Sequence, residues 1–148
     1  MRAPKARNLP FSLLAIAVAV LAALSADAET DNMRIRIDMN GNEITATLTD
    51  NATSRDFVAL LPLKLKLEDY GDTEKIGYLP RKLSTEGAPP GSAPSIGDVS
   101  YYAQWGNLAL FRKDFRYSTG LINLGKIDSG LESLNAPGSV EVTIDLVR

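Results

Sequence analysis

Asn40-Gly41 stands between two runs in which every second residue is apolar. Before it, Ile35, Ile37 and Met39 alternate with Arg34, Arg36 and Asp38. After it, Ile44, Ala46 and Leu48 alternate with Glu43, Thr45 and Thr47. Successive side chains on a strand point to opposite faces, so each run buries one side. Asn-Gly supplies positive φ at both centres of a type I′ turn, whose twist matches that of the paired strands. The fold therefore starts as a β-hairpin. The same period returns at 63–68, with Leu63, Leu65 and Leu67 inward, and at 139–146, with Val140, Val142, Ile144 and Leu146 inward.

Residues 97–111, GDVSYYAQWGNLALF, predict a second hairpin. Its two apolar arms flank the polar pivot Gln104-Trp105-Gly106-Asn107, which carries the single Trp of the chain. Between the hairpins the period changes. Phe57, Leu60 and Leu61 fall at helical spacing, Asn51 or Thr53 offers a cap, and Pro62 stops the run, which predicts a helix over 53–61. A weaker strand over 74–79 ends at Pro80. Residues 87–94, GAPPGSAP, are expected to form a mobile surface flap, since Pro lacks the donor and Gly raises the entropic cost of order. A strand over 121–127 and one helical turn over 128–134 complete the chain. About eight short strands at this length predict a mostly β domain, a sandwich or a closed barrel.

The first 28 residues are read separately, as a secretory leader. Arg2, Lys5 and Arg7 precede an uncharged apolar stretch at 9–24, and Ala26-Asp27-Ala28 forms an A-x-A cleavage site. That stretch is short beside the roughly 20 residues of a membrane span. The expectation is cleavage near Glu29, one domain over 29–148, a periplasmic or secreted location and no stable membrane span after processing. Removing Arg2, Lys5, Arg7 and Asp27 takes 16 basic and 18 acidic residues to 13 and 17. Nothing basic is clustered in what remains, which argues against a nucleic-acid partner.

Cys and His are both absent. That excludes a thiol nucleophile, a Ser-His-Asp triad and an imidazole zinc site, and leaves carboxylates, Lys and Tyr for any proton transfer. No Gly-rich phosphate loop precedes a helix and no calcium-loop spacing of carboxylates occurs, so neither a cofactor nor a metal is expected.

The order of elements resembles the bacterial cyclophilin-like proteins. The residues that carry the resemblance are Leu60-Leu61-Pro62 after the helix, Glu74-Lys75, Gly97-Asp98, the run from Trp105 to Phe111, and Leu124-Gly125-Lys126-Ile127. It covers about residues 33–148 and implies a closed eight-stranded barrel with one or two short helices over its ends. Cyclophilins proper are prolyl isomerases that use an Arg and a Gln beside an aromatic pocket. Here the nearest counterpart of the Arg motif is Tyr78-Leu79-Pro80-Arg81, at a different spacing, and Ile96-Gly97-Asp98 keeps only the end of the Gln loop.

Seven residues are candidates for a ligand site: Glu74, Arg81, Tyr101, Tyr102, Gln104, Trp105 and Phe111. The aromatics are either core or a binding platform, and alternation places Tyr101 and Tyr102 on opposite faces, so that at most one lies inside a barrel. Glu74 and Arg81 flank one strand and either frame a rim or face water, and Gln104 either orients a ligand carbonyl or satisfies its own turn. No residue is singled out as catalytic. The reading is an exported binding or accessory domain for an unknown small molecule or peptide. Its alternative is a divergent peptidyl-prolyl isomerase or folding helper, which would need Arg81 to point into an aromatic groove.

Overall fold

The computed structural model describes residues 33–148, and the leader with its A-x-A site lies outside the described residues. The first hairpin pairs β1 (Arg34–Met39) with β2 (Asn42–Leu48) in the register Met39↔Asn42 and Ile37↔Ile44. Asn40 at φ 52° and Gly41 at φ 83° make the left-handed turn that the dipeptide predicts.

Helix α1 (Ala52–Val58) follows. The Asn51 side chain caps it by accepting the Ser54 N–H at 2.8 Å, while the Thr53 hydroxyl instead donates to the Ser84 carbonyl at 2.7 Å. The helix is shorter than the spacing suggests. Leu60 and Leu61 continue it only as a tightened turn, with N–H bonds to the Phe57 and Val58 carbonyls, yet both still pack on the core with fully buried Phe57.

The remaining elements are β3 (Leu63–Tyr70), β4 (Glu74–Tyr78), β5 (Gly91–Ser92), β6 (Asp98–Tyr102), β7 (Asn107–Phe111), β8 (Ser118–Thr119), β9 (Leu121–Ser129), a 3-10 turn (Leu131–Asn135) and β10 (Val140–Leu146). Eight strands close into an antiparallel barrel in the order β1-β10-β3-β4-β7-β6-β9-β2. The closed barrel is the architecture that the resemblance implies. Its interior is filled by the inward residues of the alternating strands, Ile35, Ile37, Ile44, Leu65, Leu67, Val142 and Ile144 among them. Among the described residues no helix is long and apolar enough to cross a membrane.

Two short strands carry no signal in the sequence. β5, inside the segment expected to be a mobile flap, pairs with β8 as a separate ladder. The Gly120 N–H donates to the Pro90 carbonyl at 2.8 Å, the Ser92 hydroxyl to the Leu121 carbonyl at 2.9 Å, and the Phe115 N–H to the Pro94 carbonyl at 3.0 Å. The segment is thus tied to the chain that follows β7. Prolines cannot donate in a ladder, but their carbonyls accept, and those are what the neighbouring backbone uses.

The barrel wall at β4, β7 and β6 is buried on both sides. Inward, Leu108, Leu110, Val99 and Tyr101 join the main core. Outward, Ile76, Ala109 and Phe111 meet Leu121 in a second, smaller cluster with Tyr102 packed against it.

Candidate functional site

The outer cluster floors a cleft of about 290 Å3. Ile76, Ala109, Phe111 and Leu121 form its apolar base. Alternation explains why these residues share it: Ile76 lies opposite Ala109 and Glu74 opposite Phe111 across the β4–β7 ladder, so all four side chains point away from the barrel axis. Tyr70, Tyr102, Trp105 and Phe115 supply aromatic walls. Trp105 meets Tyr70 at 5.5 Å between ring centroids and Tyr102 at 5.1 Å, with interplanar angles of 73° and 89°. Both are edge-to-face contacts, the arrangement that the ring quadrupoles favour. Trp105 nevertheless remains 48% exposed.

Four polar residues complete the lining: Glu74, Asn107, Arg116 and Ser118. The Thr73 hydroxyl donates to the Glu74 carboxylate. Burial pushes the Glu74 carboxyl above its ordinary value, against smaller opposing effects of the Thr73 hydroxyl and the Arg112 charge. Asn107 is 1% exposed; its amide nitrogen donates to the Leu108 carbonyl at 3.2 Å, and its Oδ1 has no partner. The Arg116 guanidinium lies 4.7 Å from the centre of the Phe115 ring.

Of the seven residues picked out by sequence, the structure brings Glu74, Tyr102, Trp105 and Phe111 together on this cleft. The other three do not line it. Tyr101 points into the barrel core at 1% exposure, and its hydroxyl accepts the Leu83 N–H at 3.0 Å. Gln104 satisfies its neighbourhood, donating to the Thr119 carbonyl at 2.8 Å. Arg81 forms a two-pronged ion pair with Asp56 of α1, at 2.8 and 3.0 Å. That guanidinium, with the Ser84 N–H at 2.7 Å, holds the Asp56 carboxyl below its ordinary value.

Sequence reasoning missed Tyr70, Asn107, Phe115 and Arg116. A signal for the cleft was present in β7: Leu108 to Phe111 is continuously apolar, the pattern of a strand covered on both faces. The basic residues after β7 do not act as a patch. Arg112 pairs with Asp69 at 3.1 Å and Lys113 with Asp72 at 2.6 Å, which leaves Arg116 at the cleft. Among the described residues no group of three or more His, Cys, Asp or Glu is placed to hold a metal ion.

The sequence matches the model of the cyclophilin-like family over residues 37–145. The fold is similar to the solution structure of a hypothetical protein from Archaeoglobus fulgidus, with a TM-score of 0.58 and 19% identity. That likeness covers 79% of this chain and 96% of the archaeal one, and at such identity it speaks for the fold alone. Among curated proteins there is no match.

Proposed function

Since the chain belongs to the cyclophilin-like family, we propose that it is an exported, non-catalytic binding domain that takes a small molecule or peptide segment in the cleft outside β4, β7 and β6. The observation that carries this reading is Trp105: a large aromatic half open to solvent, held edge-on by Tyr70 and Tyr102 over an apolar floor. A concave apolar site with a few polar groups is the usual form of a ligand pocket, and this one is at the small end of the roughly 300–1,000 Å3 range. Fold alone would not support a function, because related barrels host unrelated sites. The isomerase alternative has less support, since Arg81 is occupied by Asp56 and does not line the cleft. Export rests on the leader pattern at 1–28.

Trp105→Ala tests the binding reading. A half-exposed ring gives up less than the roughly 3–5 kcal/mol of a buried one, so the variant is expected to lose no more than about 2 kcal/mol in urea denaturation. Ligand-induced shifts of the Asn107, Phe111 and Leu121 amide resonances, screened with a panel of fragments and short peptides, should disappear. If no compound shifts those resonances in the wild type, the cleft is not a binding site. Export has its own check: mass spectrometry of the protein from the producing cell should give an N-terminus near Glu29, and an intact Met1 terminus would reject it.

A further inference from the structure

We propose that the ligand of this cleft is a small ammonium compound with an apolar body, its positive nitrogen seated against the Glu74 carboxylate and the aromatic walls. The proposal rests on the cleft being a binding site and adds the chemistry of what it binds.

Two acceptors on the cleft lack a strong donor. Glu74 is half-buried and takes part in no ion pair among the described residues; the Thr73 hydroxyl is its hydrogen-bond partner. The cation nearest in influence, Arg112, is committed elsewhere: it donates to the carbonyls of Gly71, Asp72 and Leu134 and pairs with Asp69. A carboxylate withdrawn from water without a counter-charge is costly, and an incoming cation offsets that cost. Asn107 is the second acceptor. Its amide nitrogen already serves the Leu108 carbonyl, and turning the amide over would set two oxygens face to face, so Oδ1 remains the unpaired atom. Buried polar atoms in folded proteins almost always have partners, and an exception calls for an explanation. Asn107 is nearly closed to solvent and lies four residues along β7 from Phe111, the partner of Glu74, so it marks the far end of the floor and does not share the nitrogen with Glu74.

The aromatic walls point to the same chemistry. Ring faces carry partial negative charge and attract ammonium groups, most strongly where water is excluded. The floor of Ile76, Ala109 and Phe111 asks for an apolar body beside that charge. Arg116 opposes a cation, but it is exposed and lies over Phe115, so solvent and salt screen it, whereas Glu74 is half-buried. The less screened charge decides the sign of the ligand.

The test compares three probes of one shape: 2-phenylethylamine, 2-phenylethanol and 3-phenylpropionate. Binding is read by Trp105 fluorescence and amide resonance shifts on the full mature chain. The amine is expected to saturate the cleft and to bind at least about tenfold more tightly than either other probe, as a hydrogen bond to a charged group implies. Glu74→Gln should erase that preference. That loss would not come from unfolding. Glu74→Gln removes a charge that burial disfavours, so its melting temperature should equal or exceed that of the wild type. Equal or tighter binding of the alcohol or the propionate, or undiminished amine binding by Glu74→Gln, would overturn the proposal while leaving the cleft a binding site. Failure of every probe, peptide and fragment to perturb Trp105 would overturn both.

Discussion

Lys75→Ala is expected to cost about 3–5 kcal/mol of folding stability, the loss seen when one partner of a buried ion pair is removed. Lys75 is 0% exposed and shares the inward face of β4 with the core, opposite Leu110. Its ammonium donates to Asp69 Oδ1 at 2.8 Å and to the Gly138 carbonyl at 2.9 Å. Asp69 accepts the Gly138 N–H through its other oxygen at 2.8 Å and has Arg112 at 3.1 Å. One lysine thus ties the β3–β4 hairpin to the chain entering β10. Removing it strands the Gly138 carbonyl, leaves Asp69 with Arg112 and the Gly138 N–H but without its closest cation, and opens a cavity along the lysine stem. Lys75→Met keeps most of the stem and should lose less, and the difference separates packing from charge. Urea denaturation followed by far-ultraviolet circular dichroism measures both; a loss below about 1 kcal/mol for the alanine variant would reject the anchor.

The same cluster sets a pH dependence. Lys75, then the Gly138 N–H, hold the Asp69 carboxyl below its ordinary value of 3.8. A depressed carboxyl contributes stability that is complete above the unfolded value and lost as pH falls through the folded one. Asp56 shifts in the same direction through Arg81. Glu74 has the opposite sign: its raised value favours the folded state most at low pH. The net expectation is a stability plateau at neutral pH that declines below about pH 4, with a shallower decline in Asp69→Asn.

Tyr101→Ala is expected to be about as damaging, at roughly 3–5 kcal/mol for the cavity alone. Tyr101 is among the largest fully buried side chains and spans the core from β6 to the segment after β4. Its hydroxyl accepts the Leu83 N–H, so truncation also orphans a buried backbone donor. Tyr101→Phe isolates that bond and should cost about 1–3 kcal/mol. Equal stability of Tyr101→Phe and wild type would mean that water or another group satisfies Leu83. The adjacent Tyr102 gives the contrast. It faces the cleft, so Tyr102→Phe should leave stability nearly unchanged.

These tyrosines show how far the sequence could be read. Alternation separated Tyr101 from Tyr102, because a strand has only two faces. The hairpins at Asn40-Gly41 and around Trp105 were legible for the same reason: turn chemistry and period are local properties. The cleft was legible in part. Glu74, Tyr102, Trp105 and Phe111 belong to strands or a turn whose outward faces could be guessed. Phe115 and Arg116 sit on a connection without a period, and it is brought over the barrel wall by contacts distant in sequence, the β5–β8 ladder, which joins residues 26 or more positions apart, and the Phe115 N–H bond to Pro94 among them. The 87–94 segment misled for a related reason. Its Gly and Pro content describes what it cannot do alone, whereas its order comes from hydrogen bonds with residues 115–121. Lys75 hid its role as well, since a lysine between Glu74 and Ile76 looks like a solvated position until Asp69 and Gly138 meet it.

The pairing of β1 with β10 bears on how the chain assembles. Ile35 lies opposite Leu146, and the Val147 N–H closes onto the Arg34 carbonyl at 2.9 Å. The first strand waits for the last one. Until residues 140–146 are available, β1 and β3 each lack a neighbour, and every shorter length of chain is an open sheet with two sticky rims. Contacts between residues so far apart in sequence are made slowly, because loop closure must come before its reward. A chain emerging from a ribosome or a translocation channel therefore reaches the native barrel only after its final strand is free. Truncation by even that one strand would yield an adhesive fragment in place of a smaller domain.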